Sequence, residues 1–230
     1  MLTAILVAAG DSRRMGFDKL FAKIGGTPVI AHTMRVFERA GCVTDIIVVA
    51  REDRIAEIKT IVCHEHLKKV RSIIPGGKRR QDSVRTGLDQ LAAASQYVAV
   101  HDAARPLITA KQIESVFDQC RIHAAATLAE PISDTLKYAD TEFFVSGSVD
   151  RHQLYAMQTP QMFKRQLLED AYRAVDAENA SVTDEVSAVE RLGHKVVLVP
   201  NENLNFKITY PRDLALAEFV LTQQTRSAAG

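Results

Sequence analysis

Short, unbroken apolar runs alternate along the chain with stretches of helical period. The runs at 3–9 (TAILVAA), 46–50 (IIVVA), 70–74, 97–101 and 195–200 are rich in Ile, Val and Ala, as strands covered on both faces are. Between them, 28–40 opens on Pro28 and stops before Gly41, the usual asymmetry of helix ends. Within it Ile30, Thr33, Met34 and Phe37 recur at i, i+3, i+4 and i+7, which predicts one buried stripe. Thr109 and Gln112 form a capping-box pair ahead of Ile113, Val116 and Phe117. A further helix is predicted over about 183–192, closed by Gly193, and Pro211 opens the last. In that last helix Leu214, Ala217, Glu218 and Val220 or Leu221 decide the packing. The alternation predicts an α/β fold, a mostly parallel twisted sheet with helices on both faces.

One stretch breaks the rhythm. Residues 136–158 carry strand-forming Tyr, Phe and Val with turn residues at Asp140 and Gly147-Ser148, the pattern of a hairpin and not of a strand-helix-strand unit. It reads either as a surface excursion or as a projecting arm that reaches a neighbouring subunit.

Composition narrows the class. At 230 residues the chain fits one large domain or two small ones. With 29 Lys and Arg against 28 Asp and Glu, the formal net charge is +1. A molecule that grips nucleic acid through global positive charge is thereby excluded, though a local basic site is not. No apolar run approaches the ~18 residues that span a bilayer, and 4–9 leads straight into Asp11, Arg13 and Arg14, unlike a secretion signal. The three cysteines, Cys42, Cys63 and Cys120, form no CxxC. A disulfide framework is unsupported and a cytoplasmic setting is expected.

Chemistry concentrates after the first apolar run, in LVAAGDSRRMGFDK at 6–19. Ala8, Ala9 and Gly10 leave room for a base or ribose against the backbone. Loop amides can hold phosphate oxygens, and Arg13, Arg14 and Lys19 add fixed positive charge. In open α/β sheets this is where ligands sit. The segment is not GxGxxG, and Gly76-Gly77-Lys78-Arg79-Arg80 is not a Walker A loop. Cys63-His64-Glu65-His66 resembles a metal motif, but neighbours two apart do not share a helix face and no second pair exists.

The loop resembles that of nucleotidyltransferases that join a sugar or polyol phosphate to a nucleoside triphosphate. Later motifs are more discriminating: Gly76-Gly77 with Gln81-Asp82-Ser83, HDAARP at 101–106, Val149-Asp150-Arg151, QTPQ at 158–161, Thr183-Asp184-Glu185 and NFKIT at 205–209. In this order, over about 3–221, they resemble the 2-C-methyl-D-erythritol 4-phosphate cytidylyltransferase family.

The resemblance implies a Rossmann-like domain over 1–225 with a β-arm at about 136–158 that interlocks a homodimer, and a flexible tail at 226–230. It implies CTP and a polyol phosphate as substrates, Mg2+ held mainly by CTP phosphates, and no nucleic-acid or membrane partner. Arg14 and Lys19 match the family's transition-state cations. The backbone of Ala8, Ala9, Gly10 and Gly77 and the side chain of Ser83 match its cytidine contacts. Asp102 matches the acid near ribose and polyol. Arg105, Thr135, Arg151 and Thr159 match the groups that hold the polyol phosphate, and Lys207 the lysine that positions the attacking phosphate. Arg151 and Lys207 thus join Arg14 and Lys19 as catalytic candidates. Two departures stand out: Asp18 precedes the loop lysine where many members have Pro, and Lys78-Arg79-Arg80 is more basic than the family's often acidic stretch.

In such a reaction a phosphate oxygen attacks the α-phosphorus of CTP. A phosphate monoester is already ionised near neutrality, its second pKa being about 6, so no general base is required. The demand is to bring two anions together, which calls for cations and positioning. Cytidylyl transfer to ribitol 5-phosphate is the nearest alternative, and guanylyl transfer in molybdenum-cofactor synthesis leaves QTPQ and the arm unexplained. A dinucleotide dehydrogenase lacks its fingerprint here, and a non-catalytic nucleotide-binding module would have no use for so many cations.

Overall fold

The computed structural model describes residues 1–12 and 15–229, with side chains described up to residue 223. In chain order the elements are β1 (Leu2–Ala8), β2 (Lys23–Ile24), β3 (Thr27–Pro28), α1 (Val29–Arg39), β4 (Val43–Ala50), α2 (Ile55–His64), β5 (Val70–Pro75) and α3 (Arg80–Leu88). They continue with β6 (Tyr97–Asp102), α4 (Ala110–His123), β7 (Ala125–Pro131), β8 (Lys137–Ala139), β9 (Val145–Ser148) and β10 (Tyr155–Lys164). The last are α5 (Arg165–Ala177), α6 (Glu185–Glu190), β11 (Val197–Pro200) and α7 (Pro211–Ala229).

Seven strands form one sheet in the order β11-β7-β10-β6-β1-β4-β5. β1 lies parallel to both β4 and β6, and β10 runs antiparallel between β6 and β7. The unbroken apolar runs have a direct cause in packing. Leu2, Ala4, Leu6 and Ala8 of β1 join the cluster under α1, α4 and α7, whereas Ile5 joins the opposite cluster with α3, α5 and α6. Both faces are covered, so polar alternation has no place. The α1 stripe is as the period predicts: Ile30, Thr33, Met34 and Phe37 are fully buried. Thr33 Oγ1 also donates to the carbonyl of Ala103 at 2.8 Å, tying α1 to the loop after β6. The Thr109–Gln112 capping box forms.

Several boundaries differ from the pattern-based expectation. β7 and β10, both internal to the sheet, lack a run of branched residues. β7 (AATLAEP) is alanine-rich, and β10 carries Gln158, Thr159 and Gln161 inward, at a register shift beside a cis Thr159–Pro160 bond. The arm is shorter than 136–158: β8 and β9 pair as a hairpin, while 155–158 belong to β10, because Tyr155 to Met157 find partners on β7. The helix expected over 183–192 spans Glu185–Glu190, capped by the Asp184 side chain on Ser187 N at 2.9 Å. The tail expected at 226–230 is helical through Ala229, the continuation of α7. Among the described residues, no helix is long and apolar enough to cross a membrane.

Candidate active site

Ala8 ends β1 and Asp102 ends β6, and Val7 and Asp102 are paired neighbours in the sheet. On the other side Ala8 pairs with Ala50, which pairs with Pro75, the last residue before Gly76. The loops after β1, β5 and β6 therefore leave the same carboxyl edge side by side, where an open parallel sheet places its ligand. A cavity of about 580 Å³ opens there. Ala8, Ala9, Gly10, Lys19, Gly77, Ser83, Asp102 and Lys207 line it.

Two glycines let the walls meet. A Cβ on Gly76 would lie 2.4 Å from the Ala9 Cβ and 2.8 Å from Ser83 Oγ, and one on Gly77 would lie 2.3 Å from the Asp82 Cβ. Neither position accepts a side chain without moving its neighbours. Gly77 N donates to Ser83 Oγ at 3.2 Å, and that hydroxyl donates to the Arg79 carbonyl at 3.2 Å. The loop after β5 is thus fastened to the first turn of α3 and packs directly on Ala9, so that Ala9, Gly77 and Ser83 stand together on the cavity wall.

Cations line the remaining wall. Lys19 Nζ donates to the Ile208 carbonyl at 2.7 Å, bridging the first loop and the segment before α7. Asp18, just before Lys19, accepts from Arg54 Nε at 3.1 Å and lies 3.3 Å from Arg51 Nη2, which ties the loop from outside by ion pairing. Arg14, the other transition-state cation expected here, lies outside the described residues.

Asp102 is the electrostatic centre. Its Oδ2 is 2.8 Å from Lys207 Nζ and 3.9 Å from Arg105 Nε, and its Oδ1 accepts from Arg80 Nε at 3.1 Å. Burial alone would raise its pKa, but Arg80, Lys207 and Arg105 outweigh burial and hold it well below the usual carboxylate range. Behind it, His101 is fully buried, with Nδ1 3.0 Å from Thr159 Oγ1 and Nε2 3.3 Å from the Arg105 carbonyl. Burial pushes its pKa down to about 3, so it is a neutral structural bridge.

The other candidates do not reach the cavity. Thr159 is buried behind Asp102, and its hydroxyl accepts from Asp102 N at 3.1 Å. Arg105 is held back by the Asn205 carbonyl, to which its Nη1 donates at 2.7 Å. Thr135 and Arg151 are exposed at the base of the arm, where Arg151 donates to the Ser133 carbonyl.

Two residues that no motif singled out as site groups also meet here. Arg80 lines the cavity, and both of its Nη atoms donate to Glu185, at 2.7 and 2.9 Å. The Lys78-Arg79-Arg80 run gave the only signal for Arg80. Its partner is 105 positions away, a pairing no local pattern encodes.

No group of three His, Cys, Asp or Glu side chains that could hold a metal occurs among the described residues. Glu65, in the metal-like stretch, instead accepts from Arg35 Nη2 at 2.8 Å.

The family model of 2-C-methyl-D-erythritol 4-phosphate cytidylyltransferase matches residues 2–223. An enzyme of that name from Halalkalibacterium halodurans is 37% identical over 226 residues, covering 97% of this chain and 98% of its own. Another from Dehalococcoides mccartyi is 38% identical, covering 95% of each. Among solved structures, the 4-diphosphocytidyl-2C-methyl-D-erythritol synthase of Anaerococcus prevotii superposes with a TM-score of 0.85 at 29% identity, covering 96% of both chains.

Proposed function

The chain belongs to the 2-C-methyl-D-erythritol 4-phosphate cytidylyltransferase family, and from that premise we propose how its residues carry the transfer of a cytidylyl group from CTP to 2-C-methyl-D-erythritol 4-phosphate. The observation that carries the reading is one cavity in which Ala8, Ala9, Gly10, Gly77 and Ser83 adjoin Lys19, Lys207 and Asp102. The products are 4-diphosphocytidyl-2-C-methyl-D-erythritol and pyrophosphate.

The part of the cavity lined by the loops after β1 and β5 takes the cytosine, read by the backbone of Ala8, Ala9, Gly10 and Gly77 and by the Ser83 hydroxyl. Lys19 and Arg14 gather the triphosphate and offset the charge that grows as pyrophosphate leaves. Asp102 orients the ribose and polyol hydroxyls. Lys207 exchanges its bond to Asp102 for the acceptor phosphate and aims it in line at the α-phosphorus. That phosphate is already ionised, so its own oxygen is the nucleophile and no protein base intervenes. Thr159 acts from behind, by fixing the Asp102 backbone, and Arg105 by crowding the same carboxylate.

The donor set fits Mg2+ carried in on phosphate and not a protein-built cage. Two acids line the wall, Asp11 and Asp102, too few for a cage of carboxylates, and Asp102 already has cations on both oxygens. When bound with the nucleotide, the ion would neutralise part of the phosphate charge, with Asp11 and Asp102 the nearest protein carboxylates.

We further propose one nucleotidyltransferase domain whose β8–β9 arm pairs two copies. Tyr138, Phe143, Phe144 and Val145 stand exposed on it, a cluster that a second subunit would cover. Thr135 and Arg151, exposed and not in the lining of their own cavity, then complete the partner's acceptor site. A cytoplasmic setting accords with three free thiols.

The role of Lys207 is tested by steady-state kinetics of Lys207→Ala. The expected outcome is a larger rise in KM for methylerythritol phosphate than for CTP. An equal rise for both would contradict it.

A further inference from the structure

Asp102 depends on Lys207 for its closest contact, yet Lys207 is also the cation that must turn toward the acceptor phosphate. When it turns, a buried carboxylate loses a partner, which is costly unless another charge holds it. The geometry points to Arg80, clamped by Glu185, as that charge. We propose that Arg80 is a positioning residue that keeps Asp102 aimed while Lys207 engages substrate. This rests on the roles given to Asp102 and Lys207 above.

Three observations carry it. First, Arg80 spans two acids with one rigid plane: Nε meets Asp102 Oδ1 at 3.1 Å, and Nη1 and Nη2 meet Glu185 at 2.7 and 2.9 Å. A guanidinium gripped at its far edge cannot swing out as a lysine can. Second, the anchor is deep. Glu185 has no exposed surface, and its Oε1 also accepts from Tyr172 OH at 3.0 Å. The Lys207 side chain, by contrast, is 37% exposed. Third, the anchor is itself fixed to the strand behind Asp102. Gln161 Oε1 accepts from Glu185 N and Val186 N at 3.0 and 3.1 Å, and its Nε2 donates to Asp184 at 2.9 Å. Thr159, two residues earlier, receives Asp102 N. The 158–161 segment therefore sets both ends of the clamp, the Asp102 backbone and the Glu185 carboxylate. Charged groups facing Asp102 are Arg80 from α3, Lys207 from the segment before α7 and Arg105 from its own loop.

A double-mutant cycle tests this. The proteins are Asp102→Asn, the charge-neutral pair Arg80→Gln/Glu185→Gln, and the triple variant, each checked for an unchanged melting temperature. If Arg80 acts through Asp102, Asp102→Asn and the paired variant each lower kcat by about tenfold or more, and the triple falls within about threefold of Asp102→Asn alone. Losses that multiply in the triple would overturn the proposal and make Arg80 a direct phosphate ligand. Wild-type kcat in the folded paired variant would also overturn it. Wild-type kcat in Asp102→Asn would instead remove the reading of Asp102 on which it stands. Should the paired variant fail to fold, Arg80→Lys carries the same cycle, since it retains the charge but not the planar bridge. A merely structural Arg80 would lower the melting temperature and leave the activity losses independent.

Discussion

Lys19 joins the first loop to Ile208, next to Lys207. In the role proposed for it, this point charge on the cavity wall acts on the charge that develops as pyrophosphate leaves, so its loss falls on turnover. Lys19→Ala is expected to lower kcat by about 10²-fold or more, as losing a transition-state charge partner does, and Arg14→Ala likewise. Pyrophosphate release under saturating substrates measures it. His101 gives a second prediction, on stability. Burial holds its folded pKa at about 3, below the ordinary histidine value of about 6.5. Between those values the unfolded chain binds a proton that the folded chain refuses, so stability falls as pH drops through the window. His32 is depressed too and adds the same sign, whereas Asp102 loses its contribution only below about pH 4. His101→Asn should therefore show a shallower fall in melting temperature from pH 7 to 5 than the wild-type protein, and an identical slope would contradict a buried neutral imidazole.

Among elements, α3 brings Arg80 and Ser83 to the cavity, and Gly87 lets it lie directly on β1. A Cβ there would come within 2.8 Å of Ile5 Cγ2 and 3.1 Å of its Cδ1. Gly→Ala inside a helix is ordinarily favourable, but here overpacking should win, so Gly87→Ala is expected to destabilise by about 1–3 kcal/mol in urea unfolding. Elements were legible in the sequence where one physical cause dominated. β1 and β4 announce themselves because both faces are buried, and α1 because its stripe faces one cluster. β7 and β10 do not. Alanines carry little strand preference, and β10 buries Gln158 and Gln161, whose amides are satisfied by Glu130, Asn201, Asn205 and Asp184. Such polar burial is encoded only by partners distant in sequence. The candidate site divides the same way. The glycines and lysines of the loops were readable as motifs, whereas the Arg80–Glu185 clamp is a property of the folded pair.

On the scale of the molecule, near-neutral charge conceals a local surplus. Lys19, Lys78, Arg79, Arg80 and Lys207 all line one cavity, and it is this arrangement, and not the net charge of +1, that suits two phosphorylated substrates. The proposed arm exchange makes a prediction of its own. If Arg151 serves the partner's cavity, Lys19→Ala and Arg151→Ala protomers, each nearly inactive alone, should form mixed dimers with one intact site. Co-refolding them in equal amounts should restore about a quarter of wild-type activity, since half of random dimers are mixed. No recovery would place Arg151 in its own subunit's chemistry or outside it.

Every role proposed for these residues serves cytidylyl transfer to methylerythritol phosphate at the cavity beside Asp102. Its most direct test is pyrophosphate release with CTP, UTP, ATP and GTP, each crossed with methylerythritol, ribitol and sugar phosphates. Turnover is predicted with CTP and 2-C-methyl-D-erythritol 4-phosphate. Turnover of CTP only with ribitol 5-phosphate, or no pyrophosphate from CTP with any acceptor, would rule out methylerythritol phosphate as the acceptor at this cavity.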